Sequence, residues 1–424
     1  MLSTYRFLTF FLFPALIILI HFRKLIKKEH KIRYKEKIFS SSFNDDRNIS
    51  NRLYWFHASS IGETLSIIPL IKKLNKNNQN LDFLITTVTL SSANLIDKEL
   101  KNLKNIKHRF FPLDVNHLVK NFLDTWKPNL VCFVDSEIWP NFLIEIKKRN
   151  IPLALLNGRI TQKTFNRWKI FKNFAKLIFN SFDICLTSNS DSKKYLEELK
   201  VKNIRNYGNL KFSIPIDSNR LDKKNQDNLN KFTTWCAAST HKGEEFFCLK
   251  THLEIKMKFK NLLTIIIPRH IHRVEDIKKL SQKFKLNSQI FNEGDEIRSD
   301  IEVLIINSFG ALQKYFAYCN NVFIGKSMIR KLKSVGGQNP IEAAKQGCKI
   351  FHGPFVYNFK ETYHLLKSYD ISEKVENVDE LSKKLIENLN KEKKIDQKKI
   401  ERLNLYGEKI LENIIKELNN IVKK

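Results

Sequence analysis

Short apolar segments alternate with stretches of helical periodicity from Leu53 onward. This alternation is typical of a parallel β-sheet covered by helices on both faces. The apolar segments predict a first series of five strands at 54–56, 83–87, 130–134, 152–156 and 184–187. A second series of five strands follows at 234–238, 262–267, 303–306, 321–324 and 348–351. The pattern therefore predicts an α/β protein with two doubly wound sheets.

The alternation of apolar segments and helical stretches stops between the two series, where Asp, Asn and Lys dominate. We expect an interdomain linker over 213–231. A chain of 424 residues exceeds what one hydrophobic core usually organises. We therefore expect an N-terminal domain over 45–212 and a C-terminal domain over 232–377. The tail over 378–424 carries apolar residues at helical spacing and predicts closing helices.

Residues 1–28 differ in composition from the rest of the chain. The run from Phe7 to Ile20 is almost wholly apolar, and the basic segment Phe22-Arg23-Lys24-Leu25-Ile26-Lys27-Lys28 follows it directly. A perpendicular spanning helix takes ~20 residues, so this run fits a short span, an interfacial segment or a signal peptide. A signal peptide is disfavoured because no small-residue cleavage site follows. We expect a membrane anchor, with the remaining chain on the cytoplasmic side because the basic residues come after the run.

The amino-acid composition does not identify a binding partner. Hydrophobic residues make up 42% and charged residues 28% of the chain, as in folded globular proteins. The formal charge of +30 suits nucleic acid, an anionic membrane surface or a phosphorylated substrate, but free use of Lys under AT-rich coding explains it equally well. The six cysteines are scattered and lack the spacing of a zinc site, so we expect reduced thiols and no metal.

Candidate catalytic residues follow predicted strands of the first domain. The loop from His57 to Glu63 has small residues that let backbone amides approach a ligand, and a helix is predicted from Ser66 to Leu74, with Pro69 in its first turns. Glu63 fits either a catalytic carboxylate or a helix start that interacts with the helix dipole. The sequence Asp135-Ser136-Glu137-Ile138-Trp139-Pro140-Asn141 is either an acidic rim at a strand end or a helix cap. Lys211, in Gly208-Asn209-Leu210-Lys211-Phe212, either binds an anionic group of a ligand or is a surface lysine.

The second domain carries candidate phosphate- and ribose-binding residues. Ser239-Thr240-His241-Lys242-Gly243-Glu244-Glu245 caps a helix or bonds phosphate oxygens. Arg269 follows a long buried strand, so it has a fixed position from which to bind phosphate. Gly336-Gly337-Gln338-Asn339-Pro340-Ile341-Glu342 joins a glycine turn to a helix start, and Glu342 can accept ribose hydroxyls. The pair Gly336-Gly337 forms neither a dinucleotide-binding nor an NTPase motif.

Taken in order, these motifs resemble the bacterial 3-deoxy-D-manno-octulosonic acid (Kdo) transferases of lipopolysaccharide biosynthesis. The resemblance covers most of the chain. It rests on the N-terminal apolar segment and on seven motifs: 57–63, 137–141, 208–212, 239–245, 268–270, 336–342 and 353–354.

The resemblance implies a GT-B fold, with two facing Rossmann-like doubly wound domains and an N-terminal membrane anchor helix. It implies an inverting transfer of Kdo from CMP-Kdo to a lipid A precursor, without a cofactor, at the cytoplasmic face of the inner membrane. Glu63 matches the catalytic base, and Glu137 and Lys211 match residues that support the transition state. The residues matching the family's CMP-binding positions are Pro268, Arg269, Phe309, Gly310, Ala311, Asn339, Pro340, Ile341 and Glu342.

The chain departs from the family pattern beside the expected nucleotide. Asn307-Ser308-Phe309-Gly310-Ala311 stands where Asp-Thr-Met-Gly-Glu is usual, so an acidic side chain is missing. Gly325-Lys326-Ser327 and Gly337-Gln338-Asn339 replace Gly-Gly-Ser and Gly-His-Asn, and Asp135 replaces a glutamate. We expect altered donor binding rather than loss of activity.

Two other functions remain open from the sequence. A GT-B-like nucleotide-sugar epimerase shares the two domains and their carboxylates, although the N-terminal anchor argues against it. A basic nucleic-acid-binding protein is the third possibility, and it predicts salt-sensitive binding. With the transferase as the leading hypothesis, we expect no nucleic-acid partner.

Overall fold

The computed structural model describes residues 1–43, 50–78, 80–216, 220–308, 310–391 and 396–423. The chain forms two compact units. Unit 1 consists of Met1–Ile214 together with Tyr406–Lys424, and unit 2 consists of Pro215–Leu405. The end of the chain therefore belongs with the N-terminal unit.

The described residues of unit 1 form seven strands and eight α-helices before its C-terminal segment. The strands are β1 Arg52–His57, β2 Leu81–Thr87, β3 Ile106–Phe110, β4 Leu130–Val134, β5 Leu153–Gly158, β6 Ile184–Thr187 and β7 Ile204–Asn206. The helices are α1 Leu2–Leu25, α2 Ile61–Asn77, α3 Leu90–Glu99, α4 Asn116–Trp126, α5 Pro140–Lys148, α6 Gln162–Ile170, α7 Lys172–Phe179 and α8 Ser190–Glu198. All strands pair in parallel, in the order β3-β2-β1-β4-β5-β6-β7.

Unit 2 repeats the same plan. Its strands are β8 Thr233–Thr240, β9 Leu262–Pro268, β10 Ser288–Phe291, β11 Val303–Ile306, β12 Asn321–Ile324, β13 Lys349–His352 and β14 Ser372–Lys374. Its helices are α9 Lys223–Leu229, α10 Glu244–Ile255, α11 Val274–Lys283, α12 Leu312–Phe316, α13 Ile341–Lys345, α14 Lys360–Ser368 and α15 Val378–Leu389, and the last helix, α16 Gln397–Val422, begins here. The parallel strands follow the order β10-β11-β9-β8-β12-β13-β14.

Aromatic side chains fill the core of unit 1 on one face of its sheet. Trp55, from β1, is fully buried and packs against Phe122, Phe133 and Phe142, with ring centroids 5.0, 5.5 and 5.5 Å away. Burying a side chain of this size contributes roughly 1.5–3 kcal/mol. This cluster fixes β1 and β4 side by side, because Trp55 and Phe133 come from those two strands.

Each sheet has a point where the strand order reverses. In unit 1 the reversal lies between β1 and β4, and in unit 2 it lies between β8 and β12. Open α/β sheets bind ligands outside the carboxyl ends of the strands at such points. Ligand binding is therefore expected at the loops that follow these four strands.

The fold class expected from the sequence is confirmed: both units are doubly wound parallel α/β domains, and an apolar helix precedes them. Ten of the strands were predicted, with bounds that differ by up to two residues, whereas β3, β7, β10 and β14 were not. The prediction for α2 was wrong at its start, because Ser60 caps the helix and it begins at Ile61, which leaves Pro69 in its interior. The expected linker at 213–231 contains α9.

Candidate active site

Glu63 lies in the first turn of α2, directly after the loop that follows β1. Its carboxylate accepts hydrogen bonds from the Ser59 backbone N–H at 2.8 Å and from the Ser59 and Ser60 hydroxyls at 3.0 and 2.8 Å. The Ser60 side chain in turn accepts from the Glu63 N–H. Together these bonds cap the start of α2, so the helix-start and active-site interpretations of Glu63 are compatible.

The environment of Glu63 favours its protonated form. Burial is the largest cause and raises the pKa of its carboxyl above the ordinary value, and the neighbouring carboxylates of Asp135 and Glu137 raise it further. Hydrogen bonds from Ser60 and Ser59 act in the opposite direction without cancelling this effect. A carboxylate with a raised pKa is a better proton acceptor near neutral pH.

Glu137 follows β4, beside Glu63, and its carboxylate is held differently. Trp139 Nε1 donates to Glu137 Oε2 at 2.8 Å, and His57 Nε2 lies 3.2 Å from the same oxygen. Burial favours the neutral form, but hydrogen bonds from His57, Ser59 and Trp139 outweigh it and hold the pKa of Glu137 below its usual value. Two neighbouring carboxyls thus have pKa values displaced in opposite directions, a pattern that separates a proton acceptor from a permanent anion.

His57 is fully buried at the end of β1 and connects Glu137 to the sheet. Its Nδ1 lies 3.0 Å from the Thr86 hydroxyl, which also accepts a hydrogen bond from Trp55 Nε1 at 2.9 Å. The His57 ring stacks on Phe111, with centroids 3.7 Å apart. Nδ1 also lies 3.1 Å from the Thr86 carbonyl oxygen, so both oxygens of Thr86 face this nitrogen.

Asp135 adopts a backbone conformation that non-glycine residues seldom use, with φ at 60°. Its N–H donates to Leu156 O, and its carbonyl accepts from Arg159 N, so the β5 end holds this turn on both sides. Such a conformation costs of order 1–3 kcal/mol and persists where neighbouring structure enforces it. It directs the chain so that Glu137 returns toward β1.

Lys211 lies in a 3-10 turn, Leu210–Ser213, next to the start of α2. A Cβ added to Gly62 would lie 3.8 Å from the Lys211 ammonium nitrogen, which places this cation beside the Glu63 loop. The C-terminal helix supports the turn: Gly407 packs so closely on Phe212 that a Cβ at 407 would lie 2.2 Å from the Phe212 carbonyl oxygen. Lys211 is therefore positioned at the carboxylate site.

Asp114 also supports this site, although no sequence signal drew attention to it. It is buried, and its carboxylate accepts the backbone N–H groups of Asn141 and Phe142, each at 3.0 Å. These donors begin α5, directly after the segment with Glu137 and Trp139. Burial raises the pKa of Asp114 to about 6. The cap fixes the far end of the Glu137 loop.

In unit 2, Glu244 joins the loops that follow β8 and β12. This fully buried carboxylate accepts backbone N–H groups from His241, Lys326, Ser327 and Met328 at distances of 2.7–3.0 Å. Burial nevertheless raises its pKa. The segment Ser239–Glu245, expected to cap a helix or bind phosphate, therefore also anchors the neighbouring loop.

Glycines allow the strand-end loops of unit 2 to pack backbone against backbone. Gly337 has a φ of 86°, and its N–H donates to Lys326 O at 2.6 Å. A Cβ on Gly336 would lie 2.2 Å from the Phe355 carbonyl oxygen. The turn at 336–337 is thus wedged between the loops after β12 and β13, which fixes the start of the Asn339-Pro340-Ile341-Glu342 segment.

The residues expected to bind CMP lie after three strands of unit 2. Pro268 and Arg269 end β9, and the Arg269 side chain is exposed. Gly310 and Ala311 follow the adjacent β11, and Gly310 has a φ of 71° with open space around it, whereas Phe309 lies outside the described residues. The segment from Asn339 to Glu342 starts α13.

A hydrogen bond connects the region of the Gly310–Ala311 turn with the segment 339–342. Gln313 Nε2, from α12, donates to Glu342 Oε2 at 3.3 Å and so links the Gly310–Ala311 turn to α13. The Asn339 side-chain oxygen accepts the Ile341 N–H at 3.1 Å and so supports the first turn of α13. Within the described residues, no group of three or more His, Cys, Asp or Glu side chains has a metal-binding arrangement.

Solved structures share this architecture. A glycosyltransferase from Rickettsia africae aligns with a TM-score of 0.58 and 12% identity, over 88% of this chain and 99% of that one. UDP-GlcNAc 2-epimerase from Neisseria meningitidis aligns with a TM-score of 0.55 and 13% identity, over 87% and 99%. At these identities the likeness establishes the fold alone, which is the GT-B type.

Relatives that are similar in sequence identify the family more specifically than the fold does. A family model described as "3-Deoxy-D-manno-octulosonic-acid transferase (kdotransferase)" matches residues 31–214. The 3-deoxy-D-manno-octulosonic acid transferase of Rickettsia bellii is 32% identical over 360 residues, which cover 84% of this chain and 82% of that protein. The protein of that name from Haemophilus influenzae is 26% identical over 324 residues, covering 74% and 73%.

Fold and relatives together define a glycosyltransferase of the GT-B type. The chain belongs to the Kdo transferase family, as the sequence motifs indicated.

Proposed function

We propose that this protein is an inverting glycosyltransferase that moves Kdo from CMP-Kdo to a lipid A precursor. One observation carries the proposal: Glu63 and Glu137 sit at the β1/β4 reversal point with pKa values displaced in opposite directions. This pairing supplies one proton acceptor for the attacking hydroxyl and one carboxylate that stays negative beside a developing positive charge.

Glu63 is the base of the proposed reaction. It removes the proton of a glucosamine 6-hydroxyl as that oxygen forms a bond to the anomeric carbon of Kdo. The bond from this carbon to the CMP oxygen breaks at the same time, and CMP leaves with the electron pair. Because attack and departure take place on opposite faces of the sugar, the configuration inverts.

Glu137 and Lys211 stabilise the charges that develop in this step. An oxocarbenium-like transition state carries positive charge, which the ionised Glu137 carboxylate offsets. The Lys211 ammonium group interacts with an anionic group of the donor. His57 and Asp114 act by positioning Glu137 and its loop rather than by touching the substrate.

The donor nucleotide is bound by the strand-end loops of unit 2. Arg269 is exposed beyond β9 and has a guanidinium group suited to a phosphate. The positive φ of Gly310 turns the backbone after β11, so that amides beside Ala311 can face the nucleotide. The segment Asn339-Pro340-Ile341-Glu342 supplies the ribose contacts through the Glu342 carboxylate.

We further propose that the acceptor is reached at the cytoplasmic face of the inner membrane. Helix α1 is long and apolar enough to cross a membrane, by length and composition. The α6–α7 pair offers a second lipid-compatible surface, because its residues Ile170, Phe171 and Leu177 are exposed. Five cations accompany them on the same two helices: Lys163, Arg167, Lys169, Lys172 and Lys176. Such a mixture suits anionic lipid headgroups.

The experiment is a transfer assay with purified full-length protein, CMP-Kdo and a lipid A precursor in detergent. We expect the acceptor mass to rise by one or more Kdo residues, and CMP to appear only when the acceptor is present. Conversion of a nucleotide sugar to its epimer without an acceptor would favour the epimerase instead. Salt-sensitive DNA or RNA binding, with no product in the transfer assay, would favour the nucleic-acid-binding protein.

A further inference from the structure

Helix α1 touches the rest of unit 1 near both of its ends. Near its start, Tyr5 OH donates to Asp114 Oδ2 at 2.8 Å, and the Arg6 guanidinium donates to Glu145 Oε1 at 2.7 Å. Near its other end, Ile20 is buried in a small apolar cluster with other residues of unit 1. The helix is thus fastened to one folded unit at both ends.

The contacts continue between these points along one side of the helix. Phe13 packs on the ring of His117, with centroids 5.1 Å apart, and Ile17 packs against the cluster that contains Ile20. The less exposed positions recur at helical spacing: Leu2, Tyr5, Arg6, Thr9, Phe13, Leu16, Ile17, Ile20, His21, Arg23 and Lys24. One stripe of α1 therefore lies against unit 1 over the length of the helix.

The opposite side of α1 is apolar and uncovered. Phe7, Phe10, Phe11, Ile18 and Phe22 are 66%, 66%, 72%, 71% and 56% exposed. The helix contains no acidic residue. Large contiguous apolar surfaces of this kind mark interaction sites rather than surfaces in water.

This arrangement is incompatible with a spanning helix. At 24 residues, α1 is about 36 Å long, enough to cross a hydrocarbon core of about 30 Å. A spanning helix, however, has its ends on opposite sides of that core. Both ends of α1 contact unit 1, whose charged surface cannot enter the core.

Charge complementarity identifies the surface that covers the exposed side. The segment after α1 carries the exposed cations Lys27, Lys28 and Lys31, and Lys24 precedes them at the end of the helix, while Arg23 pairs with the buried Glu29. Anionic phospholipid headgroups attract such clusters, while the phenylalanines next to them enter the acyl region.

We propose that α1 is an in-plane anchor. It lies along the surface of an anionic phospholipid bilayer, with the side containing Phe7, Phe10, Phe11, Ile18 and Phe22 in the lipid and the opposite side fixed to unit 1. This deepens the membrane attachment of the proposed function and rests on it. It also means that the N-terminus stays on the same side of the membrane as the two units.

The test uses the sidedness of Ser3. All six native cysteines are buried, so a single Ser3→Cys substitution in the full chain adds the accessible thiol. Inverted inner-membrane vesicles that expose the cytoplasmic face are treated with a membrane-impermeant maleimide. We expect Ser3→Cys to react as completely as Lys202→Cys, a reference at an exposed position of unit 1. Protection of Ser3→Cys until detergent is added would show a spanning helix and overturn the proposal.

A second measurement does not depend on labelling. Phe10→Glu/Phe11→Glu places two charges on the exposed side, and we expect at least a tenfold loss of binding to phosphatidylglycerol-containing vesicles. The control Leu405→Glu, at an exposed apolar residue elsewhere, should bind like the wild type. Unchanged vesicle binding by the double variant, or a wild-type dimer that this variant converts to a monomer without lipid, would overturn the proposal. Transfer to a detergent-solubilised acceptor should persist, so its absence in the wild type would count against the proposed function instead.

Discussion

His57 Nε2 lies 3.2 Å from Glu137 Oε2, while Nδ1 of the same ring faces the Thr86 hydroxyl at 3.0 Å. The imidazole thus connects strand β2 to the Glu137 carboxylate, which follows β4. Because the ring is buried and stacked on Phe111, it has no freedom to turn away. Glu137 is held in one orientation by groups that need not touch the substrate.

The first prediction concerns this orientation. His57→Phe keeps a ring that can stack on Phe111 but removes the hydrogen bond to Glu137. A hydrogen bond to a charged group contributes about 1.5–3 kcal/mol, so we expect turnover to fall by roughly 10- to 100-fold. The KM for CMP-Kdo should change little. Steady-state kinetics give both values, and His57→Gln, which can still donate, should recover part of the loss. Equal rates for wild type and His57→Phe would contradict the positioning role.

The second prediction concerns the charge of Glu137. Glu137→Gln keeps the size and an accepting oxygen but removes the negative charge that faces the developing oxocarbenium ion. We expect turnover to fall by roughly 10²- to 10³-fold, as for loss of other electrostatic groups. CMP affinity, measured by calorimetry, should match the wild type. A large loss of CMP affinity with normal turnover at saturation would assign Glu137 to donor binding instead.

The third prediction concerns pH. Burial, together with Asp135 and Glu137, raises the pKa of Glu63, and the base must be ionised to accept a proton. Activity should therefore be present above this pKa and be lost as the pH falls through it. The acidic limb of the kcat profile should lie above the ordinary glutamate value of ~4.3. Asp135→Asn should shift this limb to lower pH by removing a neighbouring negative charge. A shift to higher pH in Asp135→Asn would contradict this electrostatic account.

The fourth prediction tests how unit 2 is held together. Glu244→Gln replaces one accepting oxygen by an amide NH2 that faces backbone N–H donors. We expect a loss of about 3 kcal/mol in the free energy of unfolding and a melting temperature roughly 5–10 °C lower. Differential scanning calorimetry measures the change. The matched control is Glu275→Gln, in the exposed first turn of α11, which should stay within about 0.5 kcal/mol of the wild type.

The central strands and the carboxylate loops were predictable from local pattern. Buried strands such as β4 are continuous apolar runs, and Glu63 and Glu137 lie six and three residues after the ends of β1 and β4. The strands at the sheet edges, β3, β7, β10 and β14, were missed because an edge strand is partly exposed and its sequence is polar. Ile204-Arg205-Asn206 and Ser372-Glu373-Lys374 carry no strand signal of their own.

Long-range support of the site was not predictable from local pattern. Asp114 caps helix α5, which begins 26 residues later at Pro140. Glu244 accepts hydrogen bonds from a loop more than eighty residues away. The packing of Gly407 on the Lys211 turn joins residues from opposite parts of the chain. Such contacts depend on the tertiary fold, so no spacing in the sequence encodes them. The altered donor binding expected from Ala311 and Gln338 stays a prediction.

The most direct test of the account is Glu63→Gln in the transfer assay with CMP-Kdo and a lipid A precursor. Because general-base catalysis contributes about 10²- to 10⁴-fold, we expect turnover to fall by that factor while CMP affinity stays unchanged. Asp191→Asn, an exposed acid in the first turn of α8, serves as the control and should retain wild-type turnover. Near-normal turnover in Glu63→Gln would contradict the assignment of Glu63 as the base.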